Sequence, residues 1–257
     1  MSKKIIRVEG VASDETPRAT TKQFVATPEA VGKAKQLRMF AIFAWLIAMA
    51  GQVYAILKLI HDDKLTWLIV AIVVMLALAV TGNLLWKKAN RLDPASEKDG
   101  FKFFVQNQLG AILSALAFLP LLIFILTNKN ISGKTKGIAG VVAGIALLVG
   151  VGTGIDFNPP SVEQYTEQTR EVEMLNDGNN FVYWTKSGSK YHLYSDCSYI
   201  NTDRTVEINE GSVAQARELK NITELCSRCR GKAMKAKNLS EDDVINEVKQ
   251  VLDSVSP

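Results

Sequence analysis

The chain is poor in the side chains that carry most nucleophilic and metal chemistry, with three cysteines and two histidines in 257 residues. An odd cysteine count cannot pair fully within one chain. It argues against a secreted disulfide framework and for thiols kept reduced in a cytosol. With so few histidines there is no Ser/His/Asp set to assemble, and His61 sits in a short loop where a solvated imidazole is expected. Paired carboxylates and a phosphate-cradling glycine loop are missing too; Gly150, Gly152 and Gly154 read as helix-packing positions. The net charge of +4 is too mild to announce a nucleic-acid binder.

Charge is lacking in a second, more informative way. Four stretches, Met39 to Leu57, Leu65 to Trp86, Leu109 to Thr127 and Gly137 to Ile155, carry no charged side chain over 19 to 22 residues. At about 1.5 Å per helical residue each reaches across a hydrocarbon core of roughly 30 Å. Transmembrane helices are therefore expected over 39–60, 65–86, 108–127 and 137–155. No Asp, Glu, Arg or His lies in the uncharged stretches, so no proton relay or ring of ion ligands is visible. Gln52, Thr81, Asn83 and Ser114 read as inter-helix hydrogen-bonding or interface positions. Gly140 and Gly144 form a G-x-x-x-G step, either a dimer contact in a homo-oligomer or packing within the helix block. Trp67 and Trp86 bracket the second span as interface anchors.

Short connections at His61 to Lys64 and Asn128 to Lys136 make each pair of spans an antiparallel hairpin. Lys22, Lys33, Lys35 and Arg38 precede the first span, and Lys87, Lys88, Arg91, Lys98 and Lys102 fill the middle loop. These nine cations face five on the other side, Lys58, Lys64, Lys129, Lys134 and Lys136. The positive-inside rule then places the N-terminus in the cytosol, and four spans return the C-terminus there. The expected location is the plasma membrane, with both termini cytosolic.

Residues 1–38 show no sustained periodicity and no apolar core of a secretory signal, and are expected to form a disordered cytosolic arm. At its end Thr27 and Pro28 open a helix that runs into the first span. The membrane domain covers 39–155, and Pro159 and Pro160 mark a junction. In the linker 156–180, Val162, Tyr165, Thr169, Val172 and Leu175 recur at helical spacing, an amphipathic helix expected to pack on its own domain. Residues 181–257 read as a small α+β unit. Strands at Phe181 to Lys186 and Lys190 to Tyr194 flank a turn, and Thr205 to Ile208 adds a third. Ser212 and Gln215 form a capping box, and a last helix from about Ser240 places Val244, Val248, Val251, Leu252 and Val255 on one face. The expected fold class is a four-helix membrane domain followed by a small α+β zinc-binding domain.

That last segment holds all three cysteines and one histidine. His192, Cys197, Cys226 and Cys229 read as H-x4-C, a spacer, and C-x2-C. Thiolates at C-x2-C spacing grip one ion from a tight knuckle, and the earlier pair supplies the other two corners of a tetrahedron. Zn2+ is the natural occupant. Four protein ligands leave no open position, which favours a structural role, with about 10 kcal/mol of binding available to a unit too small to be comfortable alone. The alternatives are a redox dithiol at Cys226 and Cys229, or thiols that are simply buried. Arg228, Arg230, Lys232, Lys235 and Lys237 put five cations in ten residues. They could hold phosphate, from nucleic acid or the inner leaflet, or form a solvated face that offsets thiolate charge. No aromatic residue interleaves with them, which favours the solvated face.

The run from Val182 to His192, then Cys197, Val213 to Ala216 and Leu225 to Cys229, resembles the Ada-type metal-binding domain. The likeness covers about 50 of 257 residues. It implies a β-hairpin before the first ligand pair, a short helix in the spacer, a C-x2-C knuckle before a final helix, and bound zinc. In the repair protein of that family four cysteines hold the metal, and one accepts a methyl group from a DNA phosphotriester. His192 stands in the first ligand place here, so the resemblance carries over zinc binding and not methyl transfer.

Three function classes follow. The first, and favoured, is a non-enzymatic membrane protein whose cytosolic zinc module binds or senses a protein partner. The second is a membrane-tethered nucleic-acid binder or Ada-like thiolate sensor. The third is a transporter or channel subunit regulated by zinc, for which no lining residue speaks.

Overall fold

The computed structural model describes residues 4–8, 23–220 and 222–254, with side chains through residue 250. Lys22, Val255 and the side chains of Val251 and Leu252 lie outside the described residues. The chain forms two compact units, one of Thr27–Pro159 and one that joins Met1–Ala26 to Pro160–Pro257.

Four helices make the first unit: α1 (Pro28–Lys58), α2 (Leu65–Leu92), α3 (Gly100–Thr127) and α4 (Gly133–Gly154). All four are long and apolar enough to cross a membrane. The Thr27 hydroxyl accepts from Ala30 N–H at 3.2 Å and Pro28 occupies the first turn, so α1 begins where the sequence places it. The helices overrun the uncharged stretches, because a helix ends where its capping and turn residues fall and not where hydrophobicity stops.

Size is sorted in an inverted way on α1 and α4, whereas α2 and α3 turn Leu68, Ile72, Phe118, Leu121 and Ile125 inward. On α1 the residues turned inward include Ala34, Ala41, Ala48 and Ala55, with Trp45 the large exception, while Phe40, Phe43, Ile47 and Tyr54 face out. On α4, Ala139, Ala143, Ala146 and Gly150 face in and Val141, Ile145 and Leu148 face out. Small side chains let backbones approach closely, and large apolar ones are left for a lipid surround.

The tightest approach is at Gly154, where an added Cβ would collide with the backbone of Gly110 and Ala111 in α3. Gly140 is buried, with space for a Cβ limited by Leu126 at 3.0 Å, whereas a Cβ on Gly144 would meet nothing within 4 Å. The G-x-x-x-G step thus divides, and only its first glycine packs inside the block.

Asn83 and Ser114 are paired in the interior, whereas the buried Gln52 leaves its Nε2 without a partner among the described residues. Asn83 Nδ2 donates to Ser114 Oγ at 3.1 Å, Gly150 O at 2.9 Å and Thr153 Oγ1 at 3.1 Å. Its Oδ1 accepts from Trp45 Nε1 at 3.2 Å, so one amide ties all four helices. Toward the polar end, Arg38 pairs with Asp93 at 2.6 Å and Asn90 donates to Gln106 O at 2.8 Å. At the opposite end the Asp62 carboxylate accepts from the N–H and hydroxyl of Ser132, joining the two hairpin turns.

The second unit is α+β. Its elements are β1 (Lys4–Arg7), α5 (Val162–Leu175), β2 (Phe181–Trp184), β3 (Lys190–Tyr191), β4 (Glu207–Ser212), α6 (Val213–Lys220), β5 (Glu224–Leu225), α7 (Ser227–Ala236) and α8 (Glu241–Ser254). One sheet has the order β1-β4-β2, with β1 parallel and β2 antiparallel to β4; a second pairs β3 with β5. The capping box forms, with Ser212 N–H to Gln215 Oε1 at 2.9 Å and Gln215 N–H to Ser212 Oγ at 3.2 Å. The amphipathic helix α5 buries Tyr165, Val172 and Leu175 in its own unit. The core around it includes Val182, Trp184, Ile208, Val213 and Ile222.

The expectation of a disordered arm over 1–38 needs correction at two places: Lys4–Arg7 is a strand, and Phe24 packs edge-on against Tyr165 with ring centroids 5.2 Å apart. The third strand also runs from Glu207 rather than Thr205. A four-residue strand with an exposed face carries too short an alternation to read as such.

Candidate metal centre

Each ligand is set by a different piece of local structure. His192 directly follows β3, and its backbone exchanges two hydrogen bonds with Tyr183 of β2, at 2.7 and 2.8 Å. Cys197 lies in the next turn, where its carbonyl accepts from Ile200 N–H at 2.9 Å and Asn201 N–H at 2.8 Å. Cys226 is the N-cap of α7 and donates its N–H to Tyr191 O at 2.9 Å, which ties the knuckle to the residue before His192. Cys229 sits one turn on, and α7 turns it inward.

The four ligand atoms all lie within 4.8 Å of one another, and all four residues are buried. A tetrahedron with bonds of about 2.0–2.3 Å has edges of ~3.3–3.8 Å. Cys229 Sγ and His192 Nδ1 stand 3.7 Å apart, within that span. Burial lowers the His192 pKa, which favours the neutral imidazole that a metal needs. Burial, then the neighbouring Cys197, pushes the Cys229 thiol up to about 12. The Cys229 thiol keeps its proton unless a cation draws it off, and a dication does so. The residues therefore fit a metal ion.

The five cations of the knuckle do not form one patch. Arg230 is held by Glu171 at 2.5 Å and Glu241 at 2.6 Å, so it bridges α5 to α8, and these carboxylates hold its pKa above the ordinary value. Lys237 is tied to Asp177 at 2.6 Å and to Met174 O at 2.8 Å. Arg228 and Lys232 instead line a cavity of about 220 Å³ whose wall includes Cys197 and Cys229. Arg228 donates to Ser198 Oγ at 2.7 Å and stands 5.8 Å from the Tyr199 ring centroid, while Lys232 lies 4.3 Å over Tyr194. Aromatic rings do interleave with the cations, but they come from the loop around Cys197, some 30 residues away in sequence. Linear spacing within α7 could not disclose them. Lys235 is exposed on α7.

No family model, curated protein or solved structure matches this chain. The Ada-type likeness therefore rests on the ligand spacing and flanking residues alone.

Proposed function

We propose that this is an integral membrane protein presenting an Ada-type structural zinc module on the cytosolic face of the plasma membrane. There it binds or senses a protein partner without catalysing a reaction. The observation that carries this reading is the convergence of His192, Cys197, Cys226 and Cys229 into one buried quartet. Three sulfurs and an imidazole suit zinc, and a fourth protein ligand leaves no coordination position for water or substrate. Placement in the cytosol is supported by the reduced thiols and the distribution of lysine and arginine. Placement of both ends on one side is supported by chain connectivity: β1 precedes the first candidate span, β4 follows the fourth, and the two share a sheet. An even number of crossings is what such pairing requires.

Metal analysis of the full-length chain purified in detergent tests the reading. One zinc per chain, lost in Cys226→Ser, is expected; a parent that takes up no zinc overturns it. Protease accessibility of the C-terminal unit in sealed right-side-out and inverted vesicles tests the sidedness.

A second reading, a membrane-tethered nucleic-acid binder, is favoured by one feature. Tyr194 with Lys232 and Tyr199 with Arg228 flank the cavity beside Cys197. It requires binding of single-stranded nucleic acid that weakens steeply with salt.

A further inference from the structure

A single row of residues crosses the sheet of the α+β unit and ends on a metal ligand. In register, Arg7 of β1 lies beside Glu210 of β4, Glu210 beside Tyr183 of β2, and Tyr183 bridges to His192. Side chains reinforce the row. Arg7 Nε donates to Glu210 Oε2 at 3.1 Å, and the Tyr183 hydroxyl donates to Glu210 Oε1 at 3.2 Å. Val8 N–H adds a bond to Glu210 O at 2.9 Å. The last link is the two-way backbone pairing of Tyr183 with His192, which fixes the position from which the imidazole projects.

From this row we infer that residues 4–7, which precede the first span, are a positioning element for the metal centre after the fourth. Docking of this arm and binding of metal are then reciprocally coupled. The inference rests on the zinc reading above.

The physics favours coupling over independence. The Glu210 side chain is only 16% exposed, and Arg7 is its cationic partner. When the arm leaves, a largely desolvated carboxylate keeps a phenol for company, and the cost falls on the strand that holds Tyr183. The arm itself is lightly held. It is four residues long, pairs in parallel, and exposes Lys4 and Arg7. A weakly docked element is one whose population a modest coupling can shift. By linkage, whatever the arm adds to metal affinity the metal adds to arm docking, by the same factor.

The test uses the full chain in nanodiscs, with Zn2+ as probe. Affinity is read by chelator competition, and amide hydrogen exchange is followed at residues 4–8 with and without metal. Arg7→Gln and Glu210→Gln are expected to weaken Zn2+ about tenfold, a typical coupling. Chelation of the parent is expected to speed exchange at residues 4–8 by a similar factor while α5 and α6 stay protected. Lys129→Gln, exposed in the turn between α3 and α4 and away from the arm, should leave affinity unchanged.

Equal affinity in parent, Arg7→Gln and Glu210→Gln overturns the coupling. So does arm exchange that ignores the metal, or chelation that releases α5 and α6 together with the arm, since the arm would then report global unfolding. If Glu210→Gln fails to fold, Arg7→Gln and the parent exchange data decide. A parent that takes up no zinc sinks the zinc reading and this inference together; bound zinc with an indifferent arm sinks only this one.

Discussion

Trp45 of α1 donates its indole N–H to Asn83 Oδ1 of α2 at 3.2 Å, in the interior of the helical unit. The same amide reaches α3 at Ser114 and α4 at Gly150 and Thr153. Each such bond is worth about 0.6 kcal/mol in a membrane protein, and an orphaned partner adds to the loss. Asn83→Ala is expected to destabilise the unit by about 2 kcal/mol, read as a lowered midpoint in denaturing-detergent titration. An unchanged midpoint would show that the four helices register by shape alone.

Two glycines of α4 separate close packing from open surface. Gly154→Leu is expected to cost about 1–3 kcal/mol or more, because its side chain would occupy the backbone position of Gly110 and Ala111. Gly144→Leu meets open space in the monomer and should stay within about 0.5 kcal/mol. A large loss at Gly144, accompanied by loss of a cross-linkable dimer, would instead place a second copy there.

Phe24 and Arg217 offer a check on the arm that is separate from the metal. The guanidinium of Arg217 lies 4.9 Å from the Phe24 ring and 4.3 Å from that of Tyr165. It also donates to Tyr165 O at 2.9 Å and Thr169 Oγ1 at 3.0 Å, so it remains anchored without Phe24. Phe24→Ala should therefore cost about 1–2 kcal/mol, from the lost edge contact and cation–π contact. Thermal unfolding followed by near-ultraviolet circular dichroism checks this. No shift would mean that Phe24 rests on the unit without holding it.

Acid should loosen the metal centre. The folded state depresses the His192 pKa below its ordinary 6.5, so the unfolded chain binds more protons as pH falls through 6.5. The contribution is present above that pH and is lost toward the lower folded value. Thiolate protonation pushes metal release in the same direction. The expected outcome is a unit whose unfolding midpoint falls as the pH drops below 6.5; a flat profile there would count against a buried neutral His192.

Much of the site was legible in the primary sequence because its information is local. The C-x2-C knuckle, the Ser212 and Gln215 capping box and the Thr27 and Pro28 helix start depend on residues within one turn of each other. The partners of the cations depend on chain folding. Arg230 and Lys237 look equivalent to Arg228 and Lys232 in sequence, yet the first two are spent on Glu171, Glu241 and Asp177.

What the sequence determined by itself was the four uncharged stretches, the His/Cys quartet that could hold a metal ion, and the starts of α1 and α6. Periodicity, capping chemistry and the cost of placing charge in hydrocarbon act over short distances and leave a mark in order and spacing. Tertiary structure alone decided that Asn83 would join four helices and that Gly154 would be the point of closest approach. It also decided that Arg7 would meet Glu210 across 203 residues. Such pairings leave no periodic trace, because each depends on one stretch of backbone reaching another far from it in sequence within the same unit.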